Sequence, residues 1–289
     1  MPEGSKGTID MQKIWFVTGS SRGFGRAIVE VALKRGDRVV ATARKPEQID
    51  DLANSFGEHV LTLALDVTDS TATRQAVDAA LKHFGSLDVV VNNAGYADSA
   101  PIEEMSEESF RDQIETNLFG VVNVTKAALP TFHQHRSGHF LQFSSIGGRV
   151  GGTPGIGAYQ TAKFAVEGFS EVLTAEVKSL GIKVTIVEPG GFRTDWGGSS
   201  MGTSTVGADY EDTVGAMNRF RESTVSTWRG DPKRAADILL DLVDLDEPPL
   251  RLLLGDGAVR SADNSSRERA AEAEQWAEVS RSADFPEGE

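Results

Sequence analysis

The stretch at 14–34, Ile-Trp-Phe-Val-Thr-Gly-Ser-Ser-Arg-Gly-Phe-Gly-Arg-Ala-Ile-Val-Glu-Val-Ala-Leu-Lys, decides how the rest of the chain is read. Residues 14–18 form a short, almost wholly apolar run, the pattern of a strand buried on both faces. Residues 23–34 carry a helical pattern. Between the two lie glycines at 19, 23 and 25. Such a turn lets the backbone bend tightly, approach a pyrophosphate closely and bring helix against strand, with the free N-H groups of the helix N-terminus facing the anion. The same glycines would also serve a tight strand-to-helix turn that binds nothing, so the turn alone leaves both readings open.

Working outward, the strand-then-helix alternation continues. Apolar runs rich in Val, Ile and Leu recur at 38–43, 60–65, 89–91, 140–143, 184–187 and 250–254, and helical patterns at 71–83, 106–129, 158–180 and 232–242. Continuous apolar strands separated by helices predict an α/β fold: a Rossmann-type, doubly wound, seven-stranded parallel sheet with helices on both faces. Asp69 and Ser70 are suited to cap the helix at 71–83, and Gly181 to close the one at 158–180. One catalytic domain over 11–260 is expected, with a short lead at 1–10 and an acidic tail at 261–289. That tail holds eight acidic and three basic residues and suggests an exposed helix over 267–279. The Gly, Ser and Thr-rich stretch at 196–207 reads as a loop between the sixth and seventh strands.

Composition narrows the function. The 289 residues carry 29 Lys and Arg against 43 Asp and Glu, a net charge of −14, which argues against nucleic acid or an anionic membrane as partner. The absence of cysteine rules out a thiolate nucleophile and a Cys-ligated zinc. The apolar runs are too short to span a bilayer and the first ten residues do not read as a signal peptide, so a cytoplasmic protein is expected.

After the second run, where many dinucleotide sites have a carboxylate for the ribose 2′-hydroxyl, the sequence reads Ala43-Arg44-Lys45. Cations there attract a 2′-phosphate, so the expected cofactor is NADP(H), with Arg22 of the turn as a further cation. Tyr159 and Lys163 lie four apart on a predicted helix and share a face. A neighbouring ammonium favours the phenolate, which fits an acid-base pair, although this spacing also occurs in helices with no chemistry.

Taken with TGSSRGFG at 18–25, Asp66-Val67, Asn92-Asn93-Ala94-Gly95, Asn117, Ser144-Ser145, Tyr159-Gln-Thr-Ala-Lys163 and Pro189-Gly190-Gly191-Phe192-Arg193-Thr194, the chain resembles the single-domain short-chain dehydrogenase/reductase family over about residues 11–260. Its wording is similar to the branch with hydroxysteroid and retinol dehydrogenase-like members. The resemblance implies cofactor contacts from Gly19, Ser20, Ser21, Arg22, Gly23, Phe24, Gly25, Arg44, Lys45, Asp66, Val67, Asn93, Ala94, Gly95, Tyr159, Lys163, Pro189, Gly190, Phe192 and Thr194. It implies that Tyr159 exchanges a proton with the carbonyl oxygen, Ser145 hydrogen-bonds that oxygen, Lys163 lowers the Tyr159 pKa and holds the ribose, and Asn117 places a relay water. Ser145 and Tyr159 stand one residue further apart than is usual in the family, and the glycine-rich 151–155 segment holds the extra residue.

The substrate wall is expected from Tyr96, Ile146, Trp196, Met201, Tyr210 and Met217, beside Phe192, suiting a hydrophobic ketone, aldehyde or secondary alcohol. His133, His135 and His139 cluster but complete no ligand spacing, so they read as surface or capping residues and no metal is expected. The resemblance further implies a homodimer or homotetramer. Two other readings compete: a catalytically silent NADP(H)-binding sensor or scaffold, and a nucleotide-sugar epimerase, for which the chain past residue 190 looks short.

Overall fold

The computed structural model describes residues 12–194 and 201–285. Strand β1 (Ile14–Val17) divides its side chains between two cores, as a strand buried on both faces must. Trp15 and Val17 pack with Ile28, Val29, Leu239 and Leu240, whereas Ile14 and Phe16 pack with Val77, Val124, Phe132 and Leu173. The elements that follow are α1 (Gly23–Arg35), β2 (Arg38–Ala43), α2 (Asp50–Phe56), β3 (Val60–Ala64), α3 (Ser70–Phe84), β4 (Val89–Asn92) and a short β5 (Ala97–Ser99). Next come α4 (Glu107–Ile114), a π-helical turn at Glu115–Phe119, α5 (Gly120–His135), β6 (Gly138–Phe143), α6 (Ile146–Arg149), α7 (Gly157–Val177) and β7 (Ile182–Pro189). The chain ends with β8 (Met201–Thr203), α8 (Ala216–Thr224), α9 (Pro232–Val243), β9 (Arg251–Leu254), α10 (Asp256–Gln275) and α11 (Ala277–Arg281).

Seven strands pair in the order β3-β2-β1-β4-β6-β7-β9, every neighbouring pair parallel. This is the expected doubly wound sheet. Its order reverses between β1 and β4, and open sheets of this kind bind ligands at the carboxyl ends of the strands beside such a reversal. Asp69 caps α3 by accepting from the Thr71 and Ala72 amides, and Gly181, at φ +76°, ends the turn that follows α7.

Four local expectations change. The helix expected over 106–129 is broken by the π turn and runs on to His135, past Pro130. Part of the loop expected over 196–207 is a strand, because Met201–Thr203 pairs in parallel with Ala97–Ser99. The helix expected over 267–279 begins earlier: α10 starts at Asp256, with Ala258 and Ala262 buried beneath it. Finally, β6 starts at Gly138, two residues before the apolar run, which puts His139 inside the sheet.

His139 is therefore neither a surface nor a capping residue, unlike the exposed His133 and His135 of the last turn of α5. It is 3% exposed, and its Nε2 lies 2.9 Å from the Thr185 hydroxyl, which itself donates to the Pro249 carbonyl. That leaves Nε2-H as the donor to Thr185. Burial, reinforced by the charge of Lys183, pushes the imidazole down to about 3. The unfolded chain thus takes a proton below about pH 6.5 that the folded chain refuses until about pH 3, and stability is lost as pH falls through that window. Urea unfolding at pH 7 and pH 5 should differ by about 2 kcal/mol from this residue, at about 1.4 kcal/mol per pH unit. In His139→Met the difference should shrink by that amount; an unchanged difference would refute the assignment.

Candidate functional site

At the carboxyl end of β1 the turn is held by its own neighbours. The Thr18 hydroxyl donates to the Val91 carbonyl and accepts from the amides of Asn93 and Ala94, at 3.2, 3.0 and 3.0 Å. Asn93 returns the contact, its Nδ2 donating to the carbonyls of Thr18 (2.9 Å) and Gly19 (3.2 Å). Gly19 adopts φ +69°, and a Cβ on Gly25 would stand 2.3 Å from the Gly19 carbonyl oxygen, so helix α1 packs against the turn at a distance only glycine permits. Gly25→Val should accordingly cost the protein its fold or its cofactor binding, seen as a large drop in melting temperature; a variant as stable as the parent would contradict this close approach.

A cleft of about 620 Å³ opens over this edge of the sheet. Its walls take Gly19, Ser21, Arg22, Gly23 and Phe24 from the turn, Arg44 and Lys45 after β2, Asp66 and Val67 after β3, and Asn93, Ala94, Gly95 and Tyr96 after β4. Asn117, Ser144, Ser145, Tyr159 and Lys163 join them, as do Pro189 at the end of β7 and Gly190, Phe192 and Thr194 beyond it. Most of the residues singled out in the sequence thus meet in one groove. Ser20 does not: it is fully buried, its hydroxyl donates to Val17 and accepts from the Thr42 amide, and its side chain braces β1 against β2. Gly25 also lies behind the wall.

Asp66 accepts from both the amide and the hydroxyl of Thr68, which holds its carboxylate at the rim of the cleft. Arg44 and Lys45 are exposed at the same rim. The groove therefore fits a dinucleotide: cations at one end, main-chain amides at a helix start in the middle, and a buried Tyr and Lys at the other end.

Tyr159 is 6% exposed and hydrogen-bonded to Ser145. Burial pushes its phenol up, and the Ser145 contact opposes this, so at neutral pH Tyr159 is the protonated phenol. Lys163 is 4% exposed, and burial lowers it to about 8. Its Nζ donates to the Phe143 carbonyl at 2.7 Å and sits 5.6 Å from the centre of the Tyr159 ring. The lowering of Tyr159 expected from Lys163 is not what opposes burial in this arrangement; the Ser145 hydrogen bond is, and desolvation of the phenol prevails. The two serines part company. Ser145 caps α6 by accepting from the Gly147 amide at 3.0 Å and faces Tyr159, whereas the Ser144 hydroxyl turns to the carbonyls of Ser145 and Lys163 and to Glu167. The extra residue between Ser145 and Tyr159 falls in a loop where Gly152 and Gly155 adopt φ +84° and +86°.

Asn117 sits in the π turn, fully buried, with its amide donating to the carbonyls of Tyr96 and Gln113 and accepting from the Tyr96 N-H. The extra residue of a π turn swings one side chain out of helical register, which puts Asn117 against the strand-end segment after β4. Of the expected substrate wall, Tyr96 lines the cleft. Trp196 lies outside the described residues. Ile146 and Met217 are not on the wall, Met201 packs on Ala97, Ile156 and Tyr159 behind it, and the Tyr210 hydroxyl is spent on Glu103. In their place the structure supplies Phe143 and Trp228. The Phe24 ring lies between Phe143 and Phe192, with centroids at 5.4 and 4.8 Å, and Trp228 is fixed where 191–193 pairs with Gly230. Phe143 was readable as the last residue of an apolar strand; Trp228 carries no local signal. Among the described residues no group of three or more His, Cys, Asp or Glu side chains is placed to hold a metal ion.

With this geometry in view, comparison with known proteins gives a family. Residues 13–203 match the family model described as short chain dehydrogenase. The chain is 52% identical over 271 residues, 93% of its length and 98% of the relative's, to the oxidoreductase BOA17 of Botryotinia fuckeliana. A solved short-chain dehydrogenase from Streptomyces avermitilis superposes with a TM-score of 0.89 at 39% identity, covering 95% of this chain and all of that one. ElxO, solved with NADP bound, superposes at 0.73 with 27% identity, covering 86% of this chain and 100% of that one. The fold and site define a dinucleotide-dependent α/β oxidoreductase. The chain belongs to the short-chain dehydrogenase family. No helix among the described residues is long and apolar enough to cross a membrane.

Proposed function

We propose that this protein moves hydride between NADP(H) and an apolar ketone, aldehyde or secondary alcohol. The observation that carries the proposal is the Ser145–Tyr159 hydrogen bond at the wall of a cleft that runs on to the glycine turn and Arg44. A bound nicotinamide supplies the hydride for reduction or accepts it in oxidation. In reduction Tyr159, a phenol at neutral pH, gives its proton to the carbonyl oxygen, and in oxidation it takes the alcohol proton back. Ser145 donates a second hydrogen bond to the same oxygen, stabilising the charge that builds there. Lys163, an ammonium below about pH 8, holds the ribose end of the cofactor and offsets negative charge on the phenol. Asn117 acts here by fixing the main chain at Tyr96 through its hydrogen bonds.

Preference for NADP(H) over NAD(H) rests on Arg44 and Lys45 at the adenosine end, with Arg22 beside them on the cleft wall, and on the absence of a carboxylate at the end of β2. An apolar substrate is supported by Tyr96, Phe143, Phe192 and Trp228 around the reacting end. The test is a screen of NADPH oxidation at 340 nm across aliphatic and aromatic ketones and aldehydes. Apolar carbonyls should be turned over best, and Trp228→Ala should raise KM for them by roughly tenfold, the effect of losing one apolar wall. Preferential turnover of small charged carbonyls would contradict the substrate class. A homodimer or homotetramer is proposed on the exposed Phe119, Phe164 and Val172 of the helical layer that bears Asn117 and Tyr159, and a monomeric mass by light scattering would overturn it.

A further inference from the structure

Behind the site lies a buried ionic cluster that the proposed reaction does not use. Glu167 follows Lys163 by one turn of α7 and is 7% exposed, and Glu188, the residue before Pro189, is fully buried. Arg251, the first residue of β9, has its Nε 3.0 Å from Glu167 Oε2 and 3.2 Å from Glu188 Oε1, and it also pairs with Glu171 one turn further along α7. Arg149, the last residue of α6, has its Nε 2.8 Å from Glu188 Oε2. The two buried carboxylates, Glu167 and Glu188, thus share two guanidinium groups, with Glu171 exposed at the outer end of the cluster. Lys163, one turn before Glu167 on α7, is the buried ammonium next to this cluster, and the Glu167 charge acts on it. Glu167 Oε1 and the Ser170 hydroxyl, three residues on, are buried without a hydrogen-bond partner, so that oxygen is not spent on another group. Ser144, whose hydroxyl helps to lower Glu167, lies between Phe143, the acceptor of Lys163, and Ser145.

We propose that Glu167 is a positioning residue for this reaction: its carboxylate is the buried counter-charge that keeps Lys163 an ammonium. The inference rests on the reading of Lys163 as the cationic holder of the cofactor. An ammonium taken out of water without a counter-charge deprotonates instead, so a lysine that must stay charged needs an anion buried with it. Burial drives Lys163 down and Glu167 opposes it. Glu167 is itself pushed up, chiefly by burial and also by Glu188, and the Arg251 guanidinium beside it works in the opposite direction, toward the carboxylate.

The experiment follows NADPH binding by nicotinamide fluorescence from pH 6 to pH 10 in the full-length protein. In the parent, affinity should fall through a midpoint near 8, and Lys163→Met should remove that transition. Glu167→Gln should bind like the parent at pH 6 but move the midpoint down by about one pH unit, a tenfold change in the protonation constant. Glu167→Asp, which keeps the charge, should retain the parent midpoint, as should Glu171→Gln at the exposed end of the cluster. A parental midpoint in Glu167→Gln overturns the inference. If Glu167→Gln does not fold, Glu188→Gln removes one charge from the same cluster and should move the midpoint down, and no movement overturns the inference equally. A transition that survives Lys163→Met would instead overturn the role given to Lys163 in the proposed function, and the inference with it.

Discussion

Tyr159→Phe is expected to lower kcat/KM by about 10³-fold, within the 10²–10⁴ range of a lost general acid, while NADPH binding and melting temperature stay close to those of the parent. Tyr159 is 6% exposed, so its ring packs in the core of the site and phenylalanine preserves that packing. What is removed is one hydroxyl, bonded to Ser145 and facing the cleft. A net hydrogen bond is worth about 1 kcal/mol, so the fold survives, whereas the proton source proposed for the carbonyl does not. Ser145→Ala should cost less, about 10²-fold, because it removes stabilisation of the oxygen but not the proton. Ser144→Ala should leave turnover within a few-fold, since that hydroxyl faces main-chain carbonyls and Glu167. Undiminished turnover in Tyr159→Phe would sink the mechanism, and a reversal of the two serines would transfer the role to Ser144.

Arg44→Asp should produce the second large effect: about 100-fold weaker NADPH binding with little change for NADH, measured by fluorescence titration of each cofactor. Arg44 stands exposed at the rim beside Lys45 and opposite Asp66, directly after β2, where the ribose of a bound dinucleotide comes within reach. A charge-assisted contact to a phosphate contributes about 1.5–3 kcal/mol, and a carboxylate in its place adds repulsion. NADH has no 2′-phosphate, and an aspartate there is the residue type that accepts from its ribose hydroxyl. The effect should fade with added salt because the site is exposed. Equal binding of NADPH and NADH by the parent would refute the assigned preference.

Much of this was legible in the sequence because parallel strands buried on both faces leave uninterrupted apolar runs, and all seven such runs are strands of the sheet. The turn at 19–25 was legible because its glycines meet real close approaches. Where the reading slipped, the deciding contacts were distant in sequence. His139 looks like part of a helix-end cluster until β6 pairs with β7 and brings Thr185 against it. Ser20 looks like a phosphate contact, yet its partners on β1 and β2 draw the side chain inward. Wall residues are expected near the catalytic motifs, but Trp228 comes from a distant segment tied to the site by the pairing of 191–193 with Gly230 and by Arg193 donating to the Trp228 carbonyl. Asn117 could be placed by motif, whereas the π turn that aims it leaves no trace in hydrophobic periodicity. The cluster around Glu167 was invisible for the same reason, since its five charged groups come from α6, α7, β7 and β9.

The central claim is that hydride passes between the nicotinamide and a carbonyl carbon while Tyr159 supplies the proton. Its most direct test uses NADPH deuterated at C4, in each of the two stereochemical forms, with the apolar ketones and aldehydes of the screen, and mass spectrometry of the alcohols formed. The account predicts that one form delivers deuterium to the carbinol carbon with the parent protein and that Tyr159→Phe, still binding NADPH, delivers almost none. Firm NADPH binding with no label reaching any carbonyl from either form, or from deuterated NADH, would contradict it and favour a silent dinucleotide-binding protein.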